Sequence, residues 1–199
     1  MAVLLATSNV AKVRELRAIL PSLTLTTPSE LNLDLEVDEV GQTFAENAAI
    51  KASVFARASN MVTLADDSGL EVDALGGAPG VHSARYGGPA LDDRGRLELL
   101  LHNLRQVSEF SQRSARFKCC MAVTFPDGRW CEATGVCEGF IAQAPSGSGG
   151  FGYDPIFFLP DHQRTMAEIA AEEKNRISHR ALAARKMSSI LDQRFPLLS

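Results

Sequence analysis

The chain opens with Val3-Leu4-Leu5-Ala6, an unbroken apolar run. Thr7-Ser8-Asn9 follows, and then Val10, Val13, Leu16 and Leu20 at helical spacing, up to Pro21. No other feature constrains the fold as strongly. A short apolar run bounded by turn chemistry reads as a buried strand. Thr, Ser and Asn are N-cap residue types, and a proline stops the helix behind them. Strand, polar turn and helix together are the opening of an α/β protein, in which helices cover a central sheet.

The rest of the chain adds to that frame. Thr43-Phe44-Ala45-Glu46 fits a capping box that starts a helix running to about Ala58. Met61 to Ala65 reads as a strand that leads into Ala65-Asp66-Asp67-Ser68-Gly69, and residues 74–90, rich in Gly and Pro, read as loop. Leu97, Leu100, Leu101 and Leu104 mark an amphipathic helix. Phe117, Cys119, Met121, Val123 and Phe125 alternate as in a strand. After the turn Pro126-Asp127-Gly128, residues 129–138 return as an antiparallel partner. Residues 143–154 read as a glycine-rich loop, Ile156 to Leu159 as a short strand closed by Pro160, and Thr165 to Leu191 as helical, with Ser178 able to cap a new helix at His179. The expected fold is α/β with a mixed sheet. No repeat and no clean linker interrupts it, so residues 1–199 are taken as one domain, with room for two lobes around a central cleft.

Composition limits the function. A hydrophobic content of 45% supports a real core and leaves disorder only for the last few residues. The net charge of −4 argues against the basic stripe of a duplex-DNA binder, although a small anion needs only a local cationic cluster. No apolar run approaches a membrane span, and the N-terminus lacks the basic and long apolar regions of a signal peptide. Cys119, Cys120, Cys131 and Cys137 fit no zinc spacing. The expectation is a cytoplasmic protein with reduced, buried thiols, no membrane and no stable nucleic-acid partner.

Six clusters carry chemistry. Thr7 to Lys12 lies at a strand-to-helix turn, where open backbone N–H groups and the helix dipole favour an anion, although no Walker loop is present. Asp66 and Asp67 would face opposite ways in a strand; at its end, one can meet a ligand while the other supports the loop. Magnesium is usually held by one or two carboxylates plus substrate phosphates. The acidic run Glu36 to Glu39 can supply a second carboxylate, and Asn47 and Lys51 share a helix face. Ser146 to Pro155 combines glycines with Phe151 and Tyr153, aromatics able to stack on a flat base, and Asp154 is placed to fix that loop. Lys174 to Arg180 puts cations at a helix start, against the dipole, which points to an anionic or keto partner. Taken together, the clusters describe a ligand with several phosphates, a divalent metal and a planar base.

With those residues in order, the motifs TSNVAK, TFAENAAIKA, ADDSGLEVDALGGAPGVHSARY, GGFGYDPIFF and EEKNRISHRALA resemble the RdgB-type inosine/xanthosine triphosphate pyrophosphatases, over Leu4 to about Leu191. The resemblance implies an elongated mixed β-sheet flanked by helices and a homodimer. It implies magnesium-dependent hydrolysis of ITP, dITP and XTP to the monophosphate and pyrophosphate, removing them from the nucleotide pool. Thr7, Ser8, Asn9, Val10, Ala11 and Lys12 would bind the triphosphate, with Asn47 and Lys51 in support. Asp67 would be general base and metal ligand, one of Asp38 and Glu39 the second metal carboxylate, and Ser68 a substrate contact. Phe151, Gly152, Tyr153, Asp154, Lys174, His179 and Arg180 would form the base pocket. Ser8 and Ala11 stand where many members have glycine, and both are small. A pyrophosphatase for modified pyrimidine nucleotides and a catalytically silent nucleotide-binding regulator are the alternatives. The His179-Arg180 pair and the Phe151–Asp154 loop favour a purine, and the retention of Asp67 favours catalysis.

Overall fold

The computed structural model describes residues 2–194. Its sheet has seven strands in the order β2-β1-β3-β4-β5-β6-β7. β1 (Ala2–Leu5) pairs parallel with both β2 (Thr24–Thr26) and β3 (Thr63–Val72). β4 (Ser114–Thr124) and β5 (Trp130–Ile141) are neighbours. Their connection is too short for a crossover, so they run in opposite directions. β5, β6 (Phe157–Leu159) and β7 (Arg164–Thr165) pair antiparallel. The sheet is therefore mixed, as its α/β opening and its hairpin imply.

Local chemistry sets the helix ends. Asn9 caps α1 (Val10–Ile19) by accepting the Lys12 N–H at 3.1 Å. Thr43 and Glu46 close a complete capping box on α2 (Phe44–Ser59), of a kind whose loss costs about 1 kcal/mol. Asp92 caps α3 (Asp93–Asn103), and the leucines at helical spacing put Leu97 and Leu100 inside. The expected helix from Thr165 begins later: Thr165 lies in β7, where the Glu168 carboxylate holds its N–H at 2.7 Å. Only α4 (Ala171–Ile177) and α5 (His179–Arg194) are helical, and they meet at Ser178 as anticipated. The expectation of disorder for the last few residues lies outside the described residues.

The chain forms two compact units and passes between them several times. Within the described residues, one contains residues 2–67, Cys119–Gly135 and residues 179–194. Its cores join Leu5, Leu16, Leu64, Met121 and Met187 on one side and Leu4, Ala48, Ala52, Phe55 and Ala65 on the other. Gly135 lies directly under α5, where a Cβ would collide with the His179 carbonyl and the Ala183 amide. The second unit, Ser68–Lys118 and Val136–Ser178, is built on Leu70, Leu100, Phe117, Tyr153 and Phe157.

All four cysteines are buried free thiols. Burial, aided by Glu138 and Asp154, pushes Cys137 up to about 11, and it also raises the Tyr153 phenol. Groups whose folded-state pKa is raised contribute stability below their unfolded values, about 8.5 for Cys and 10 for Tyr, and lose it as pH rises. The denaturant midpoint is therefore expected to fall between pH 8 and pH 11, and to fall less in Cys137→Ala. An equal fall in both proteins would remove Cys137 from the effect.

Candidate active site

The Asp66-Asp67 pair does not sit at the end of a strand. β3, ten residues long from Thr63, runs through it to Val72. Gly69 and Ser68, which look like turn residues, are part of the strand. Gly69 is required there because the Ser83 hydroxyl and the Gly80 carbonyl occupy the space a Cβ would need. In mid-strand the two carboxylates point to opposite faces and meet different partners.

Asp66 is fully buried. Its Oδ2 is 3.0 Å from Lys12 Nζ and 3.4 Å from both Nε and NH2 of Arg180. Arg180, itself 1% exposed, donates through NH1 to Glu15 Oε2 at 2.6 Å. Burial opposes ionisation of Asp66, but Lys12, Arg180 and Lys51 outweigh it and hold the carboxyl well below its usual range. Asp66 is thus the centre of an internal ion network. The sequence put Arg180 in the base pocket and Lys12 on the triphosphate. The Arg180 guanidinium meets Glu15 and Asp66, and Lys12 meets Asp66. Glu15 carried no role in the sequence reading, and its partner lies 165 residues away in the chain.

Asp67 faces α2. Asn47, one turn before Lys51, donates from Nδ2 to Asp67 Oδ2 at 3.0 Å and accepts the Gly41 N–H at 2.8 Å. It ties the acidic segment to β3 from a fully buried position. Lys51 Nζ lies 2.7 Å from Glu39 Oε1, 2.7 Å from the Asp66 carbonyl and 4.0 Å from Asp67 Oδ1. Of the two candidates for the second carboxylate, Glu39 pairs with Lys51, and Asp38 is exposed on the lining of the neighbouring cavity. Burial pushes the Asp67 carboxyl above its usual range; Lys51 pulls against this and Glu39 adds to it.

A cavity of about 780 Å³ opens beside this cluster, lined by Thr7, Ser8, Asp38, Glu39 and Lys51 among others. Thr7 Oγ1 accepts the Asn9 N–H at 3.2 Å. Ser8, Asn9 and Val10 are exposed, Ala11 is half-buried, and no acidic residue blocks the first turn of α1. Such a helix start suits an anion.

The second unit holds the other cluster. Asp154 Oδ2 accepts the Phe151 N–H at 2.8 Å and Lys174 Nζ at 2.5 Å, so Asp154 does fix its loop. Lys174 Nζ also lies 4.9 Å from the centre of the half-buried Phe151 ring. Tyr153 belongs to the core, its hydroxyl donating to the Ser83 carbonyl at 3.0 Å, which leaves Phe151 as the aromatic open to a ligand. Gly152, at φ +60°, donates its N–H to Asp93. Ser68 is half-buried on β3, and His179 is buried at the start of α5.

Among the described residues no three His, Cys, Asp or Glu side chains gather as a metal cage. Glu39 and Asp67 around one ammonium instead fit the mode in which magnesium takes one or two carboxylates and completes its shell with phosphate and water.

The model of the Ham1 family matches residues 3–190. The dITP/XTP pyrophosphatase of Bacillus licheniformis is 47% identical over 193 residues, covering 96% of this chain and 98% of that protein. The dITP/XTP pyrophosphatase of Bacillus subtilis is 46% identical, covering 95% and 96%. Among solved structures, a HAM1 protein from Coxiella burnetii superposes with a TM-score of 0.87 at 40% identity, covering 97% of this chain and 99% of that one.

Proposed function

The chain belongs to the Ham1 family, and on that premise we infer that it hydrolyses non-canonical purine nucleoside triphosphates such as ITP, dITP and XTP. The products are the nucleoside monophosphate and pyrophosphate, and the reaction clears these nucleotides from the pool. The observation that supports this best is the Glu39–Lys51–Asp67–Asn47 cluster beside an open helix start. It is a paired carboxylate site for a metal-bound anion.

Thr7, Ser8, Asn9, Val10, Ala11 and Lys12 bind the triphosphate, using backbone N–H groups and the Lys12 charge. Asp67 would hold magnesium, with the second carboxylate coming from the Asp38-Glu39 pair that lines the same cavity; Glu39 is the nearer to Lys51. Bound there, the metal neutralises phosphate charge that would repel a nucleophile. Asp67, its Oδ2 fixed by Asn47, orients a water and accepts its proton as the water oxygen bonds to the α-phosphorus. The bond from the α-phosphorus to the bridging oxygen breaks, and pyrophosphate departs with its charge met by Lys51 and Lys12.

Phe151 stacks on the purine, Lys174 and Asp154 hold that ring in place, and Ser68 adds a contact. Donors aimed at the 6-keto oxygen of hypoxanthine or xanthine would be left unpaired by the amine of adenine, which rejects ATP. We extend the reading to a cytoplasmic homodimer. Among the described residues no helix is long and apolar enough to cross a membrane. Light scattering that returned the mass of a single 21.5 kDa chain would remove the dimer.

The test is incubation with ITP, dITP, XTP, GTP, ATP and dUTP, with and without magnesium, followed by product analysis. Pyrophosphate from ITP, dITP and XTP is expected, abolished by a chelator and restored by magnesium. Orthophosphate as the product would overturn cleavage between the α- and β-phosphates. Full turnover in the chelator would overturn the metal assignment.

A further inference from the structure

We propose that Asp93, oriented by Arg96, is a positioning residue for the base-binding loop, which it steers through the peptide of Gly152. This rests on the reading above that the Phe151–Asp154 loop meets the base.

Each residue of that loop is held by a different tie. Phe151 N–H goes to the Asp154 carboxylate, Tyr153 hydroxyl to the Ser83 carbonyl, and Asp154 to Lys174. Gly152 has left-handed backbone at φ +60°, and its N–H reaches outside the loop, to Asp93 Oδ2 at 3.2 Å. The other carboxylate oxygen of Asp93 is 3.8 Å from NH1 of Arg96, three residues on along α3. Arg96 is mostly buried, its side chain 14% exposed, and its Nε makes no hydrogen bond among the described residues. One oxygen of Asp93 therefore faces the peptide and the other faces the mostly buried Arg96 guanidinium.

Asp93 is itself 66% exposed, so it adds little to the core. Without its carboxylate the Gly152 amide turns to water, and the loop loses orientation while the fold stays intact. Gly152 sits next to Phe151, so a tilt of this peptide moves the ring that stacks on the purine. The reacting phosphorus is untouched. The loss falls on binding shared by ground and transition states, which raises KM and leaves kcat unchanged.

The test is steady-state kinetics on dITP for the wild type, Asp93→Ala, Asp93→Asn and Phe151→Ala. Inhibition by inorganic triphosphate, which has no base, and the thermal midpoint are measured alongside. Asp93→Ala is expected to raise KM about three- to tenfold, the worth of one hydrogen bond, at constant kcat. Triphosphate inhibition and the midpoint stay unchanged, and Asp93→Asn, which keeps an acceptor oxygen, restores most of the loss. An unchanged KM in Asp93→Ala beside a raised KM in Phe151→Ala would overturn the role of Asp93 alone. An unchanged KM in both would overturn the base-loop reading itself. A raised KM accompanied by weaker triphosphate inhibition or a lower midpoint would show a merely structural effect and overturn the proposal.

Discussion

Asp67→Asn is expected to lose about 10²- to 10⁴-fold in kcat, the range typical of a removed general base, with KM for dITP close to wild type. Asparagine has the same shape, so Asn47 Nδ2 can still donate to the oxygen it now holds at 3.0 Å. What disappears is the proton acceptor and one anionic metal ligand. Stability should move the other way or not at all. Burial already disfavours the Asp67 carboxylate, so a neutral isostere relieves a cost. An inactive variant with an equal or higher thermal midpoint is the signature of a residue kept for chemistry. Asp66→Asn should behave oppositely. It takes the counter-charge from Lys12 and Arg180 deep inside the protein, so its first effect is a lower midpoint. Normal turnover in Asp67→Asn would remove Asp67 from the mechanism.

The difference between these neighbours shows what the sequence could disclose. Helix starts at Asn9 and Thr43 were legible because a cap and its partner lie within three residues. The pairing of Asn47 with Lys51 was legible because helical period alone puts them on one face. Asp66-Asp67-Ser68-Gly69 looked like the end of a strand, since Asp, Ser and Gly favour turns. The strand continues because Leu70 and Val72 extend its buried alternation and Ser83 fills the space beside Gly69, a contact fourteen residues away in sequence that no local preference registers. The same holds for the site. Motifs named Asp67, Lys51 and the Phe151–Asp154 loop, but that Glu39 and not Asp38 is the carboxylate reached by the Lys51 ammonium needed the fold. Glu15 was invisible in Val13-Arg14-Glu15-Leu16, which reads as an ordinary helix turn, because its partner Arg180 lies on α5.

That buried pair leads to the second large effect. Arg180→Met should destabilise the protein by about 3–5 kcal/mol, because it leaves Glu15 and Asp66 inside without their shared cation. For a chain of this length each kcal/mol moves the thermal midpoint by about 2–4 °C, so a drop of roughly 6–20 °C is expected. Lys12, still 3.0 Å from Asp66 Oδ2, keeps one of the two carboxylates paired and favours the lower part of that range. Glu15 accepts from Arg180 NH1 at 2.6 Å and loses that contact in the variant. Adding Glu15→Leu to Arg180→Met should therefore recover much of the loss, since swapping a whole buried ion pair for apolar groups costs far less than orphaning one partner. The two losses are coupled through one contact and will not add. If the double variant fell by the sum of the single losses, the 2.6 Å contact between Glu15 and Arg180 would carry no coupling energy, and the midpoint drop of Arg180→Met would have to come from Asp66 alone.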